Sequence, residues 1–299
     1  MSLIVGIRCT DSLVLAASGP GTMPSEDGLP PARQWSKKLR VVGGQAVLGV
    51  TGHDGLAQEM ALSLERSLAE PDERESAEDV LRAKLRDALA APVQRTVAIH
   101  RTLQGLPGFG ITSNEYVISQ SLLAIPFRNS LRLFLLDPEC SVTEVTDELA
   151  CATIGSAKAV ADPFLAFLRK VLWQDRLPDV ALGELSAYWT MLHVAETSPG
   201  ALTFPVQLVL MRREEGGSID IYERGERELS RIQQAIERGE EMIRKSLRMQ
   251  HPAGPEAEGA PAPTPATPPS SVEKPVRKRV PEVRLRLERP DRRGGSGRR

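Results

Sequence analysis

The sequence predicts an α+β domain over residues 1–249: a four-layer αββα sandwich, two antiparallel sheets between helix layers, with a disordered C-terminal tail. Three observations predict it. Apolar residues switch between period two and period 3.6 in the order strands, two helices, strands, two helices, strands, helix. Each helix carries an apolar stripe that must be buried, and paired helices alternating with runs of strands suit sheets stacked face to face with helices outside. From His251 onward the composition becomes PAGPEAEGAPAPTPATPPSS and then a basic run, neither of which buries enough apolar surface to offset ordering entropy.

LIVGI (3–7) and SLVLAA (12–17) read as a first hairpin across a polar turn. Residues 19 to 35 form a Pro/Gly-rich connection expected to lack regular structure. KKLRVV (37–42) and QAVLGVTG (45–52) flank Gly43-Gly44, a dipeptide suited to the positive φ angles of a tight hairpin turn. Leu56, Met60, Leu64 and Leu68 then recur every fourth residue on one helical face. A second helix starts at the capping-box-like Ser76-Ala77-Glu78-Asp79 and runs through Leu85 and Leu89, with Pro92 expected to end or kink it.

Strands return from Tyr116 to about Ala152 in YVISQSLLAIPF, LRLFLLD and SVTEV. Two helices follow, Ser156 to Trp173 with Val160, Phe164, Phe167, Leu168 and Val171 on one face, and Leu182 to about Ala195. FPVQLVLMR (204–212) and SIDIYE (218–223) make a hairpin around Gly216-Gly217. A charged helix from Arg224 to about Met249 closes the domain, its apolar seam being Leu229, Ile232, Ile236, Ile243 and Leu247. Residues 250–272 read as a linker and 273–299 as a basic tail.

Composition excludes several classes. With 299 residues, 41% hydrophobic and a formal net charge of −1, a full core is possible and only the tail suits a polyanion. Arg8 and Asp11 interrupt the opening apolar run, which argues against a signal peptide, and no stretch approaches a membrane span. Cys9, Cys140 and Cys151 form neither an even set nor a metal-ligand spacing, so buried thiols in a reducing, cytoplasmic setting are expected. The four histidines lack metal spacing. GLPGFG (105–110) is not followed by the Lys-Ser/Thr of a phosphate loop, and there is no Gly-x-Ser-x-Gly elbow. No cofactor or metal is expected.

SLIVGIRCTDSLVLAAS at the start, KKL at 37–39, LGVTGHDG at 48–55 and TIGSAKAV at 153–160 occur in the order seen in proteasome β subunits and related bacterial peptidase rings. Over residues 2 to 249 the chain resembles this N-terminal-nucleophile (Ntn) hydrolase family. The resemblance implies a peptide or amide substrate, a homo-oligomeric ring, and catalysis by the first residue of the mature chain. Ser2 is small enough for Met1 to be removed, leaving a hydroxyl beside a free α-amine whose ordinary pKa of about 7.7–8.0 lets it act as base. Lys38 matches the lysine beside the nucleophile, and strand alternation allows only one of Lys37 and Lys38 to face Ser2. Gly49 matches an oxyanion donor, against the plain reading of a close-packed strand end. Ser156 matches a serine that orients the amine, against the plain reading of a helix cap. Val47 matches the floor of a side-chain pocket that would favour an apolar residue before the cut.

Two departures stand against activity. The family's acidic residue at the end of the second strand is Ser18 here, and its Asp-x-x-Ser-Gly is replaced by ETSPGALTF, offering only Glu196 and Ser198. The competing expectation is therefore a catalytically inactive scaffold or binding subunit. The basic tail suggests docking of an ATP-driven unfoldase or a polyanion, the latter predicting salt-sensitive affinity.

Overall fold

In the computed structural model, β1 (Ile4–Arg8) and β2 (Ser12–Ala17) pair antiparallel with Ile4 opposite Ala17 and Arg8 opposite Leu13. The structure describes residues 2–19, 21–23, 32–34, 37–69, 78–104, 119–174, 176–198 and 202–250. The expected linker and tail, with any unfoldase or polyanion docking there, lie outside these, as do the Ser76 cap, the strand start at Tyr116 and GLPGFG.

β3 (Gly21–Met23) and β4 (Ala32–Gln34) form a two-stranded ladder inside the connection expected to be irregular. Its prolines, at 20, 24, 30 and 31, all lie outside the paired positions, so none removes a ladder donor. β5 (Leu39–Val42) and β6 (Ala46–Thr51) join through Gly43 and Gly44, at φ +56° and +68°, where Gln45 N–H donates to the Val42 carbonyl at 3.2 Å. This is the primed turn whose twist matches the strands it connects.

α1 (Asp54–Ala69) and α2 (Glu78–Gln104) follow. Pro92 does not end α2. Leu85 and Leu89 before it and Val93 after it are buried in one cluster, so packing on both sides holds the helix across the missing N–H. β7 (Gln120–Phe127), β8 (Ser130–Leu136) and β9 (Val142–Val145) complete one sheet in the order β5-β6-β7-β8-β9. β10 (Cys151–Ile154) then crosses to the other sheet, pairing with β1. The sequence reading did not resolve β10 as a strand of its own, because four residues carry too little alternation.

α3 (Lys158–Leu168) continues through a wider turn at Arg169–Trp173, and α4 (Val180–Thr197) starts at Asp179, whose carboxylate accepts from Leu182 N–H at 2.8 Å. On α3 the buried face is Ala161, Leu165 and Leu168, while Phe167 and Val171 are exposed, a correction to the expected stripe. β11 (Gln207–Arg213) and β12 (Ile219–Glu223) finish the second sheet in the order β10-β1-β2-β11-β12, and α5 (Glu226–Gln250) closes the fold.

Three apolar clusters account for the four layers. Leu3, Val5, Ile7, Val14 and Ala16 turn outward onto α3, α4 and α5. Leu48, Val50, Leu123, Ile125 and Phe134 turn outward onto α1 and α2. The alternate residues, Ile4, Leu13, Leu15, Val47, Leu122 and Leu133, meet between the sheets. Each central strand thus spends both its faces on apolar contact, which sets its register, since a slip of one residue would exchange the two faces. Contacts gather Met1–Gln250 into one compact unit, and among the described residues no helix is long and apolar enough to cross a membrane.

Candidate active site

The first hairpin, the end of β2, the start of β5 and the turn between β10 and α3 converge on residues 2, 18, 38 and 156. Ser2 is held by backbone on both sides. Its N–H donates to Ser156 Oγ at 3.1 Å, and its carbonyl accepts from Ala157 N–H at 3.3 Å. Gly155 makes this approach possible: at φ +108°, a Cβ on it would lie 2.3 Å from the Ser2 carbonyl oxygen and 3.1 Å from Ser2 Oγ. Only glycine fits that backbone contact. Gly155 N–H in turn donates to Gln120 Oε1 at 3.2 Å, tying the turn to β7 of the other sheet.

Ser156 is not the cap of α3. The residue flanking the helix is Ala157, with no side-chain capping bond, so Ser156 Oγ is left to Ser2.

Ser18 closes the next layer. Its N–H donates to the Leu3 carbonyl at 2.9 Å, and its hydroxyl accepts from Leu3 N–H at 3.3 Å and from Lys38 Nζ at 2.7 Å. Lys38 therefore points inward at the hydroxyl that also holds Leu3, the residue after Ser2. Lys37, its strand neighbour, points outward and pairs with Glu223 at 2.8 Å. Among the described residues no carboxylate pairs with Lys38, and burial brings its ammonium down from the ordinary lysine range to about 8. A hydroxyl stabilises the charged form less than a carboxylate would, so Ser18 does not offset what burial does to the ammonium.

Gln207 was not singled out from the sequence. Its Oε1 accepts from both Lys38 N–H at 2.8 Å and Leu39 N–H at 3.2 Å, fixing where β5 begins and where the Lys38 side chain leaves the backbone. Nothing local to either segment signals a bond across 169 residues.

Gly49 and Val47 are placed differently. Val47 is fully buried in the cluster between the sheets. A Cβ on Gly49 would sit 2.9 Å from Leu39 Cδ2 and 3.2 Å from Ile4 Cγ2, so close packing by itself requires glycine there. Val50 N–H donates to the Lys38 carbonyl at 3.4 Å, and successive peptide groups on a strand face opposite edges; the Gly49 N–H is thereby turned toward β7, where Gly49 stands opposite Leu122. Neither Glu196 nor Ser198 is among the described partners of Ser2 or Lys38.

The remaining nucleophiles and ligands lie elsewhere. Burial raises the Cys9 thiol to about 12, which keeps it protonated and inert. A cavity of about 340 Å³ lined by His53, Glu59, Thr96 and His100 lies between the starts of α1 and the later turns of α2, and includes none of the four converging residues. Among the described residues no His/Cys/Asp/Glu group could hold a metal ion.

No family model and no curated protein matches the sequence. Solved structures do match. Anbu (ancestral beta-subunit) from Yersinia bercovieri is 15% identical over 81% of this chain and 96% of its own, with a TM-score of 0.58. The helical assembly of the Anbu complex from Pseudomonas aeruginosa gives 14% identity over 86% and 100%, TM-score 0.58. A Gly-1 mutant of Anbu from Hyphomicrobium sp. strain MC1 gives 18% identity over 83% and 100%, TM-score 0.54.

These matches correct the placement among proteasome β subunits and bacterial peptidase rings. Most of the residues that carried that resemblance lie on β1–β2, on β6 and at the β10–α3 turn, at positions where the sandwich itself demands buried apolar residues or a glycine. They report an architecture, and the architecture is that of Anbu subunits: two antiparallel sheets of five strands each between helix layers, in a proteasome-like sandwich.

Proposed function

We propose that this chain is a hydrolase of peptide or amide bonds whose nucleophile is the Ser2 hydroxyl, activated by the α-amine that removal of Met1 leaves. The observation that carries this reading is the convergence on one backbone corner of Ser2, Ser156 and an inward-facing lysine freed of any described carboxylate.

The chemistry runs through the chain's own groups. The amine of Ser2 takes the hydroxyl proton as Oγ bonds to the substrate carbonyl carbon; the tetrahedral oxyanion collapses, the leaving amine departs with that proton, and an ester remains on Ser2. Water, deprotonated by the same amine, hydrolyses the ester and restores both groups. Ser156 Oγ, already accepting from the Ser2 nitrogen, orients the amine. Lys38 acts through Ser18: a positive charge nearby disfavours protonation of the amine, and its own readiness to lose a proton near neutrality lets it relay one. For Gly49 to serve the oxyanion, the bond it faces toward β7 must open. Self-assembly belongs to this reading too, supported by the fold shared with subunits one of which is described as a helical assembly.

The competing reading is an inactive scaffold, favoured by Ser18 standing where a carboxylate would hold Lys38. One experiment separates them. A bifunctional electrophile carrying a ketone and an epoxide closes a ring only on a hydroxyl and a free amine of the same residue. Intact mass spectrometry is expected to find the chain without Met1 and with one adduct, lost in Ser2→Ala. Retained Met1, or equal labelling of both proteins, sinks the hydrolase.

A further inference from the structure

We infer that the last turns of α5 are a self-association surface, on which a second copy of this chain packs antiparallel. The inference rests on the self-assembly part of the reading above and is independent of the nucleophile.

The apolar seam of α5 continues past the body of the domain. Leu229 and Ile236 are buried in the cluster that α4 forms with β1 and β2, whereas every residue from Glu241 to Arg248 is exposed. Among those exposed are Met242 at 67%, Ile243 at 55% and Leu247 at 55%. Ile236, Ile243 and Leu247 lie seven and four residues apart, so Ile243 and Leu247 prolong the buried stripe along one side of the helix, with Met242 on its flank. Helical turns with no tertiary contact gain little stability of their own, and a stripe kept apolar in register is wasted on water.

Charge selects the occupant and its direction. Glu237, Glu240 and Glu241, against the single Arg238, make the turns before Ile243 acidic on balance, and Arg244, Lys245 and Arg248 make the turns after it basic. Within one helix these make the exposed pairs Arg244–Glu240 at 3.0 Å, Arg244–Glu241 at 3.5 Å and Lys245–Glu241 at 3.6 Å, each worth only tenths of a kcal/mol. A second copy running parallel would set like charge against like. Running antiparallel about a two-fold axis near Ile243, it sets the acidic turns of each copy against the basic turns of the other and closes the apolar residues in the middle, as a self-complementary interface requires. Three apolar side chains over about 8 Å of helix bury less than the roughly 1,200 Å² of a stable stand-alone dimer, so the contact strengthens with protein concentration or as one of several in an assembly.

The test uses full-length chains and sedimentation velocity with native mass spectrometry. The first variant carries Glu237→Lys and Glu241→Lys; the second carries Arg244→Glu, Lys245→Glu and Arg248→Glu. Glu240 is left alone because it accepts from Trp189 Nε1. Each variant repels itself and is expected to need at least tenfold more protein than wild type to associate. Mixed, the two are expected to form a mixed species near the wild-type concentration, which pairing inside one helix cannot produce. Circular dichroism of each variant checks that α5 is intact, and Ile243→Gln with Leu247→Gln supplies a second disruption that leaves the charges alone. Wild type that stays monomeric, variants that assemble like wild type, or a mixture no better than its parts would each overturn the inference. Labelling of Ser2 on the same samples reports separately on the hydrolase.

Discussion

Lys38 and Glu144 are two inward charges treated in opposite ways. Glu144, on β9, is 7% exposed and held by two guanidiniums, Arg82 at 2.9 Å and Arg132 in still closer contact, with Arg82 also bonded to Glu78 at 2.8 Å. Lys38, on the approach to β5, receives a hydroxyl and its own burial. A fold that can provide two counter-charges to a buried carboxylate had the means to provide one to a buried lysine. The Glu144 cluster is paired as architecture; on the reading proposed above, Lys38 is kept at a stability cost for what its proton can do.

Substitutions at the two charges are expected to move stability in opposite directions. Glu144→Ala should cost about 3 kcal/mol in urea unfolding, because it takes the carboxylate from Arg132 and one of two carboxylates from Arg82. Gly155→Ala comes next, at roughly 2 kcal/mol, since the methyl group must displace Ser2; loss of adduct with the folded fraction intact would show that the turn positions the nucleophile.

Lys38→Met should raise stability at pH 7 by roughly 1–3 kcal/mol while abolishing labelling. In the native chain this lysine binds its proton less tightly than in the unfolded chain. Stability from this group therefore rises between about pH 8 and the unfolded value near 10.4, and below about 8 the full penalty applies. The Lys38→Met variant should lack that rise. A variant less stable than wild type would mean that Lys38 is structural, and the contrast with Glu144 would fail. Lys37→Ala, which removes only an exposed pair with Glu223, should stay within about 0.5 kcal/mol and leave the adduct unchanged.

The parts of the fold legible in the sequence are those with a local period. LIVGI and SLVLAA are near-continuous apolar runs because consecutive residues face two different buried layers, Gly43-Gly44 announces its own turn, and the Leu56–Met60–Leu64 stripe is buried where its spacing puts it. What stayed hidden depends on partners distant in sequence. β10 is recognisable only through β1, Pro92 is tolerated only because of what Leu89 and Val93 touch, and the second half of the α5 seam has the same pattern as the first without the same burial.

The candidate site divides along the same line. Strand alternation separates Lys38 from Lys37, and the structure places the two on opposite sides. Gln207, Gly155 and the use of the Ser18 hydroxyl follow from three-dimensional neighbours that no spacing encodes. Ser18, read from the sequence as a loss, is the atom on which Lys38 and Leu3 meet.

The hold on Ser2 has one more consequence. Its nitrogen already donates to Ser156 as the amide of a chain that still carries Met1, and its carbonyl is already engaged by Ala157. Folding at this corner does not wait for trimming. On the reading proposed above, a chain that kept Met1 would still make both bonds, so folding assays alone would not count the molecules that carry a free Ser2 amine.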